Sequence, residues 1–131
     1  MEEVWHKGNM IFVDENFATD YVDHHPALAG LPQREGFKQL VTMNRTAFPD
    51  LHFTLEDLVA ENDKVVARWT ARGTHKGPLR GIAPTGKQVT VTGITIFRIT
   101  GGKVAERWFN EDTLGMMQQL GVIPPIGKGK G

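Results

Sequence analysis

Apolar positions change their rhythm about halfway along the chain. In the first part Val4, Ile11, Phe12, Phe17, Tyr21 and Val22 recur at roughly helical spacing, with breaks near Gly8 and Asp14. That run ends at Asp23-His24-His25-Pro26, because a residue before proline is pushed out of the helical basin. Residues 27–33 read as a loop. From Arg34 to Phe48 the pattern predicts a second helix, with Phe37, Leu40, Val41 and Phe48 on one side and Pro49 as its stop.

The second part reads as strands. Leu51–Glu61 is one, and Asn62-Asp63 makes a tight turn into Lys64–His75. Lys76–Lys87 is a loop rich in glycine and proline. Gln88–Thr100 and Lys103–Asp112 form a hairpin about Gly101-Gly102. Thr113–Leu120 is a helix closed by Gly121, with Pro124 and Pro125 beyond. Helices followed by an antiparallel meander make an α+β fold. In Lys64–His75 one face carries Val65, Ala67, Trp69 and Ala71, and the other Val66, Arg68, Thr70 and Arg72. Both faces of Gln88–Thr100 are mainly apolar or threonine, which suggests a sheet covered on both sides. Helices can cover one side, and a second subunit is expected on the other. Trp69 is expected to pack within the sheet rather than to touch a substrate.

Composition narrows the function. A chain of 131 residues is read as one domain, 1–131, with a flexible tail at 124–131. Lys+Arg and Asp+Glu number 15 each, so no basic field attracts nucleic acid or a membrane surface. The absence of cysteine excludes disulfides, thiolate nucleophiles and cysteine-type zinc sites. MEEVWHKGNM is not a signal peptide, and no apolar run approaches the ~18 residues of a membrane span. A cytoplasmic protein is expected. Zero net charge leaves self-association unopposed, so a homodimer or homotetramer is expected too.

Several motifs invite chemistry. GIAPTGKQ (81–88) nearly matches a phosphate-binding loop, but Gln88 replaces the magnesium-binding hydroxyl and a strand follows, not a helix. Five histidines show no chelating spacing, so no metal is expected. His24 at a helix–loop junction and His75 at a strand end are placed where functional side chains commonly project. Arg68, Arg72 and Arg98 lie in strands, where cross-strand pairing is their ordinary use; Glu106 is a candidate partner. Asp112 precedes a helix and is a natural N-cap. By strand parity it shares a face with Trp108 and Asn110. If that face is internal, a desolvated carboxylate beside an indole could move protons near neutral pH. The pattern leaves both roles open.

Taken together, FPDLHFTLEDLVAENDKVVARWTARGTHKG (48–77), GIAPTGK (81–87), GGKVAERWFNEDTLGMMQQLG (101–121) and the earlier DYVDHHP resemble the SnoaL-like polyketide cyclase (ester cyclase) family over about residues 4–123. The resemblance implies an NTF2-like cone, a curved antiparallel sheet wrapped on helices around a pocket, often dimeric or tetrameric. It implies a cofactor-independent acid–base enzyme acting on a hydrophobic small molecule by intramolecular aldol condensation. The aspartate of that family's W-x-x-x-D matches Asp112, as the catalytic group. His24, His75, Trp108 and Asn110 then line the substrate pocket. The same fold also serves a non-catalytic binding or dimerisation module, an isomerase, or an epoxide hydrolase. The last would want an Asp–Arg–Asp set, of which one clear aspartate is present.

Overall fold

A computed structural model describes Gly8, residues 10–24 and residues 33–124. Val4, His25, residues 27–32 of the expected loop and the tail from residue 125 lie outside the described residues. The elements run α1 (Met10–Asn16), β1 (Phe17–Asp23), α2 (Gln33–Ala47), β2 (His52–Glu61), β3 (Lys64–Thr74), β4 (Gln88–Thr100), β5 (Lys103–Glu111) and α3 (Thr113–Leu120). The five strands form one sheet in the order β1-β5-β4-β3-β2. β1 runs parallel to β5, and the other pairs are antiparallel. This is the α+β meander expected, with α2 and the four later strands within a residue or two of their predicted bounds.

The exception is β1. Phe17–Asp23 was expected to be helical and is a strand. Phe17 and Tyr21 are four residues apart, a spacing that serves a helix face and a strand face equally well. The exposed edge of β5 decides between them, and an irregularity in register between Phe17 and Val22 lets the segment fit. Phe17, Tyr21 and Asp23 are buried while Val22 stays exposed. The buried rings stack against α2: Phe17 lies 4.8 Å from Tyr21 and 4.9 Å from Phe37. With Val13 and Val41 they form one apolar cluster. A second gathers Phe48, Leu79, Val89, Val91, Met116 and Leu120 beneath α3.

Within the single chain β4 buries one face and leaves open the other, the face on which a second subunit was expected. Val89, Val91, Gly93 and Thr95 are buried, whereas Gln88, Thr90, Thr92 and Ile94 are exposed. Thr90 and Thr92 lie on that open face. In β2 an extra residue lies between Leu55 and Asp57, so Leu55 faces Trp69 and Leu58 faces Ala67. The bulge places both leucines on the inner side.

Trp69 packs within the sheet as expected, but its partner is a neighbouring strand. Its indole lies over Gly93, with its N–H donating to Thr95 Oγ1 at 2.9 Å and its edge against Phe53 at 5.1 Å. A Cβ at position 93 would fall 2.2 Å from the indole Cζ2. Gly93→Ala should therefore destabilise by about 1–3 kcal/mol through overpacking. Chemical denaturation checks this, and an unchanged midpoint would mean that the indole swings aside without cost. Trp69 also lines the internal cavity described next.

Candidate active site

The inner face of the sheet, α2 and α3 enclose a cavity of about 430 Å³. Leu40, Phe48, Phe53, Trp69, Val91 and Met116 supply much of its apolar wall. Its charged lining is Arg107 and Glu111 from β5, Arg72 from β3 and Arg80 from the loop before β4, and the parity of β5 is clear. Ala105, Arg107, Phe109 and Glu111 face inward, while Glu106, Trp108 and Asn110 face outward.

Glu111 ends β5 opposite Gly93 and is partly buried. Burial raises its pKa above the ordinary value of 4.5, and the charges of Arg80 and Arg107 offset only part of the rise. Arg80 also lines the cavity, from a turn closed by mutual backbone hydrogen bonds between Leu79 and Ile82 at 3.0 and 2.7 Å. Its φ is 49°, the left-handed region that side chains other than glycine enter at a cost.

Arg107 is only 5% exposed. Its Nε donates to Asp23 Oδ2 at 2.9 Å, and the Tyr21 hydroxyl donates to the same oxygen at 2.6 Å. Asp23 is fixed in turn by its own N–H, which donates to Gln33 Oε1 at 2.7 Å. The rings of Phe37 and Phe109 flank the guanidinium at 4.9 and 4.5 Å. Burial is the main reason that the Tyr21 hydroxyl is held protonated, far above its usual range.

The residues nominated from sequence lie elsewhere. Trp108, Asn110 and Asp112 do share a face, but it is the outer one. With His24 they line a more open depression there. His24 stacks on Trp108 at 5.0 Å, with planes 6° apart, and its Nε2 lies 2.6 Å from Glu106 Oε2. That hydrogen bond, with a second from Arg98, lowers the Glu106 pKa. Asp112 is exposed; its Oδ1 accepts the Gly115 N–H at 2.9 Å, so it caps α3. His75 borders neither space. It is fully buried beside Phe48, and the Thr85 N–H donates to its Nδ1 at 3.2 Å. Its backbone pins the far end of the neighbouring loop, through Lys87 O at 2.9 Å and the Gly86 N–H at 2.8 Å.

Sequence reasoning passed over Glu111, Arg107, Arg80 and Phe109. A signal was available in β5: Glu106 and Asn110 flank Trp108 on its own face, whereas Ala105 and Phe109 mark the opposite one. The strand arginines behave as expected where they pair. Arg68 Nη2 meets Asp57 at 2.7 Å, and Arg98 Nε meets Glu106 at 2.8 Å, each across a strand pair. Among the described residues, no three histidine, aspartate or glutamate side chains gather to hold a metal ion, and no helix is long and apolar enough to cross a membrane.

Comparison with known proteins agrees with this architecture. The profile of the SnoaL-like polyketide cyclase family matches residues 1–120. The aklanonic acid methyl ester cyclase DnrD of Streptomyces peucetius is 30% identical over 135 residues, covering 98% of this chain and 91% of its own. DauD, an aklanonic acid methyl ester cyclase of a Streptomyces species, is also 30% identical, over 98% of this chain and 82% of its own. The structure of TsrD from Streptomyces laurentii superposes with a TM-score of 0.84 at 34% identity, covering 92% of this chain and 89% of that one. A matched profile over nearly the whole chain, cyclases among its relatives and the same fold in a solved structure lead to one assignment: the protein belongs to the SnoaL-like polyketide cyclase family.

Proposed function

We propose that the internal cavity is the active site, and that it closes a ring in a polyketide-like or other enolisable carbonyl substrate by intramolecular aldol condensation. Glu111 is the acid–base group. The observation that carries this reading is that Glu111 is the one carboxylate among the described lining residues, with its pKa raised by burial. A carboxylate shifted upward toward neutral pH is a better base for a carbon acid and, once protonated, a better acid for the product alkoxide. The volume of about 430 Å³ lies within the range of small-molecule sites. Ionised Glu111 removes a proton alpha to one carbonyl. The enolate carbon forms a bond to a second carbonyl carbon of the same molecule, and the resulting alkoxide takes the proton back from Glu111. The apolar wall holds the chain folded, which supplies proximity.

A second reading keeps Asp112 as the catalyst, with His24, Trp108 and Asn110 binding substrate in the outer depression. It is favoured by the gathering of these four residues on one face. The two readings separate in a ring-closure assay with aklanonic acid methyl ester, the substrate named for two relatives. Asn caps helices about as well as Asp, so Asp112→Asn should keep both stability and turnover, while Asp112→Ala should lose about 0.5–2 kcal/mol of stability. A large loss of turnover in Asp112→Asn, with Glu111→Gln unaffected, would move the active site to the outer face.

A further inference from the structure

One residue of the cavity wall sits where its type is disfavoured. Leu79 and Ile82 exchange two backbone hydrogen bonds, and the residues between them, Arg80 and Gly81, have φ of 49° and 80°. Positive φ at both central positions is the mark of a type I′ hairpin turn, which favours Asn-Gly or Gly-Gly. Asn62 is the other described non-glycine residue with positive φ, and asparagine enters that region readily. Arginine does not. The turn is fixed by Leu79, which is 2% exposed within the core cluster beneath α3. Side chains held in such backbone states cluster at functional sites.

The surroundings say what Arg80 does there. It lines the cavity together with Glu111 and stays exposed rather than sealed. Among the described residues its guanidinium has no hydrogen-bond or ion-pair partner. Its charge nevertheless reaches Glu111, and opposes the effect of burial there more than Arg107 does. Arg72 borders the same cavity, but its charge is not among those that act on Glu111, and Arg107 is held by Asp23. Of the described lining arginines, Arg80 is the one both near the base and uncommitted.

Proton removal transfers a negative charge from the carboxylate to the substrate. The proton on carbon passes to Glu111, and the electron pair it leaves spreads onto the adjacent carbonyl oxygen. Glu111 is then neutral, and Arg80 has lost the charge that acted on it. We propose that Arg80 is a catalytic residue whose guanidinium donates a hydrogen bond to this enolate oxygen and holds it until the new carbon–carbon bond has formed. This rests on the internal cavity being the active site with Glu111 as its base. A donor that gains its full partner only as charge develops on the substrate lowers the barrier, rather than tightening substrate binding alone.

Arg80→Asn tests the assignment, because asparagine before Gly81 suits the turn and spares the fold. In the ring-closure assay turnover should fall by about 10²–10³, the worth of one oxyanion donor, while KM changes far less. Arg80→Lys keeps the charge but loses the fork of donors, and should retain part of the rate. The pH at which turnover rises should also move upward in Arg80→Asn, since Arg80 and Arg107 are the charges that hold the Glu111 pKa down. A turn with only a structural role would move none of these. A second measurement stands apart from turnover. Lawsone, a hydroxynaphthoquinone, is an enolate at neutral pH, and its methyl ether is not. Calorimetry on Glu111→Gln, which imitates the protonated base, should show the enolate binding ~10-fold more tightly than the ether. Adding Arg80→Asn should reverse that order. Full turnover in Arg80→Asn beside an inactive Glu111→Gln would overturn the role of Arg80 and leave the base standing. Equal binding of the two probes, no binding of either, or a preference that survives Arg80→Asn would overturn it as well. Full turnover in Glu111→Gln would remove the base and the proposal with it, a result distinct from any failure of Arg80.

Discussion

Glu111→Gln should lower turnover in the ring-closure assay by about 10²–10⁴, the usual worth of a positioned proton-transfer group. The same change should make the protein more stable at neutral pH. Burial raises the Glu111 pKa in the folded state above its ordinary 4.5, so the unfolded chain gives up this proton first as pH rises. Stability is therefore lost between 4.5 and the folded value, and the cost persists at every higher pH. Glutamine carries no charge and avoids that cost. Thermal melts should show the variant above wild type at pH 7, with the gain vanishing below pH 4.5. Wild-type turnover should rise with pH through a single deprotonation above 4.5. Full activity in the variant would remove Glu111 from the chemistry, and a lower melting temperature at pH 7 would show that its charge is stabilised rather than merely tolerated.

Asp23→Ala should cost about 3–5 kcal/mol, because it leaves the Arg107 guanidinium buried without its counter-charge. The side chains of both partners are almost fully enclosed, so solvent screens little of this. The double change Asp23→Ala with Arg107→Met should recover most of the loss, since replacing both members of a buried pair by apolar groups is often neutral. Urea denaturation of the two single variants and the double measures the coupling directly. A loss under about 1 kcal/mol in Asp23→Ala would mean that water reaches the pair and solvates the arginine.

Much of the architecture could be read from local chemistry. Pro49 stops α2, Asn62-Asp63 and Gly101-Gly102 turn the hairpins, and Gly121 closes α3 with φ of 84°. These signals are local, and the structure agrees with each. β1 was not legible, because its partner is β5, some 80 positions later, and the local pattern of Phe17 and Tyr21 is ambiguous between two periods. The proposed site was half legible. The end of β5 stood out in the sequence and does border the cavity, and Asp112 is the helix cap its sequence context suggested. Which side of β5 faces inward depends on packing against α2 and α3. A tryptophan is a poor guide there, since Trp108 satisfies itself on the outer face by stacking on His24. Arg107 was legible only as a residue type, because its counter-ion comes from the strand that was misread.

The grip of Asp23 on Arg107 joins positions 84 apart in the chain. During synthesis β1 emerges long before β5 exists, so Tyr21 and Asp23 wait without the strand that completes them. Contacts across such a span carry a large loop-closure penalty and tend to form slowly. The charged wall of the cavity is thus assembled only when the two ends of the fold meet. A chain halted before residue 107 could hold the β2–β3 hairpin and α2, yet would lack both Arg107 and Glu111 from the cavity wall. The closed Asp23–Arg107 pair in this protein is a report that both ends of the fold have arrived.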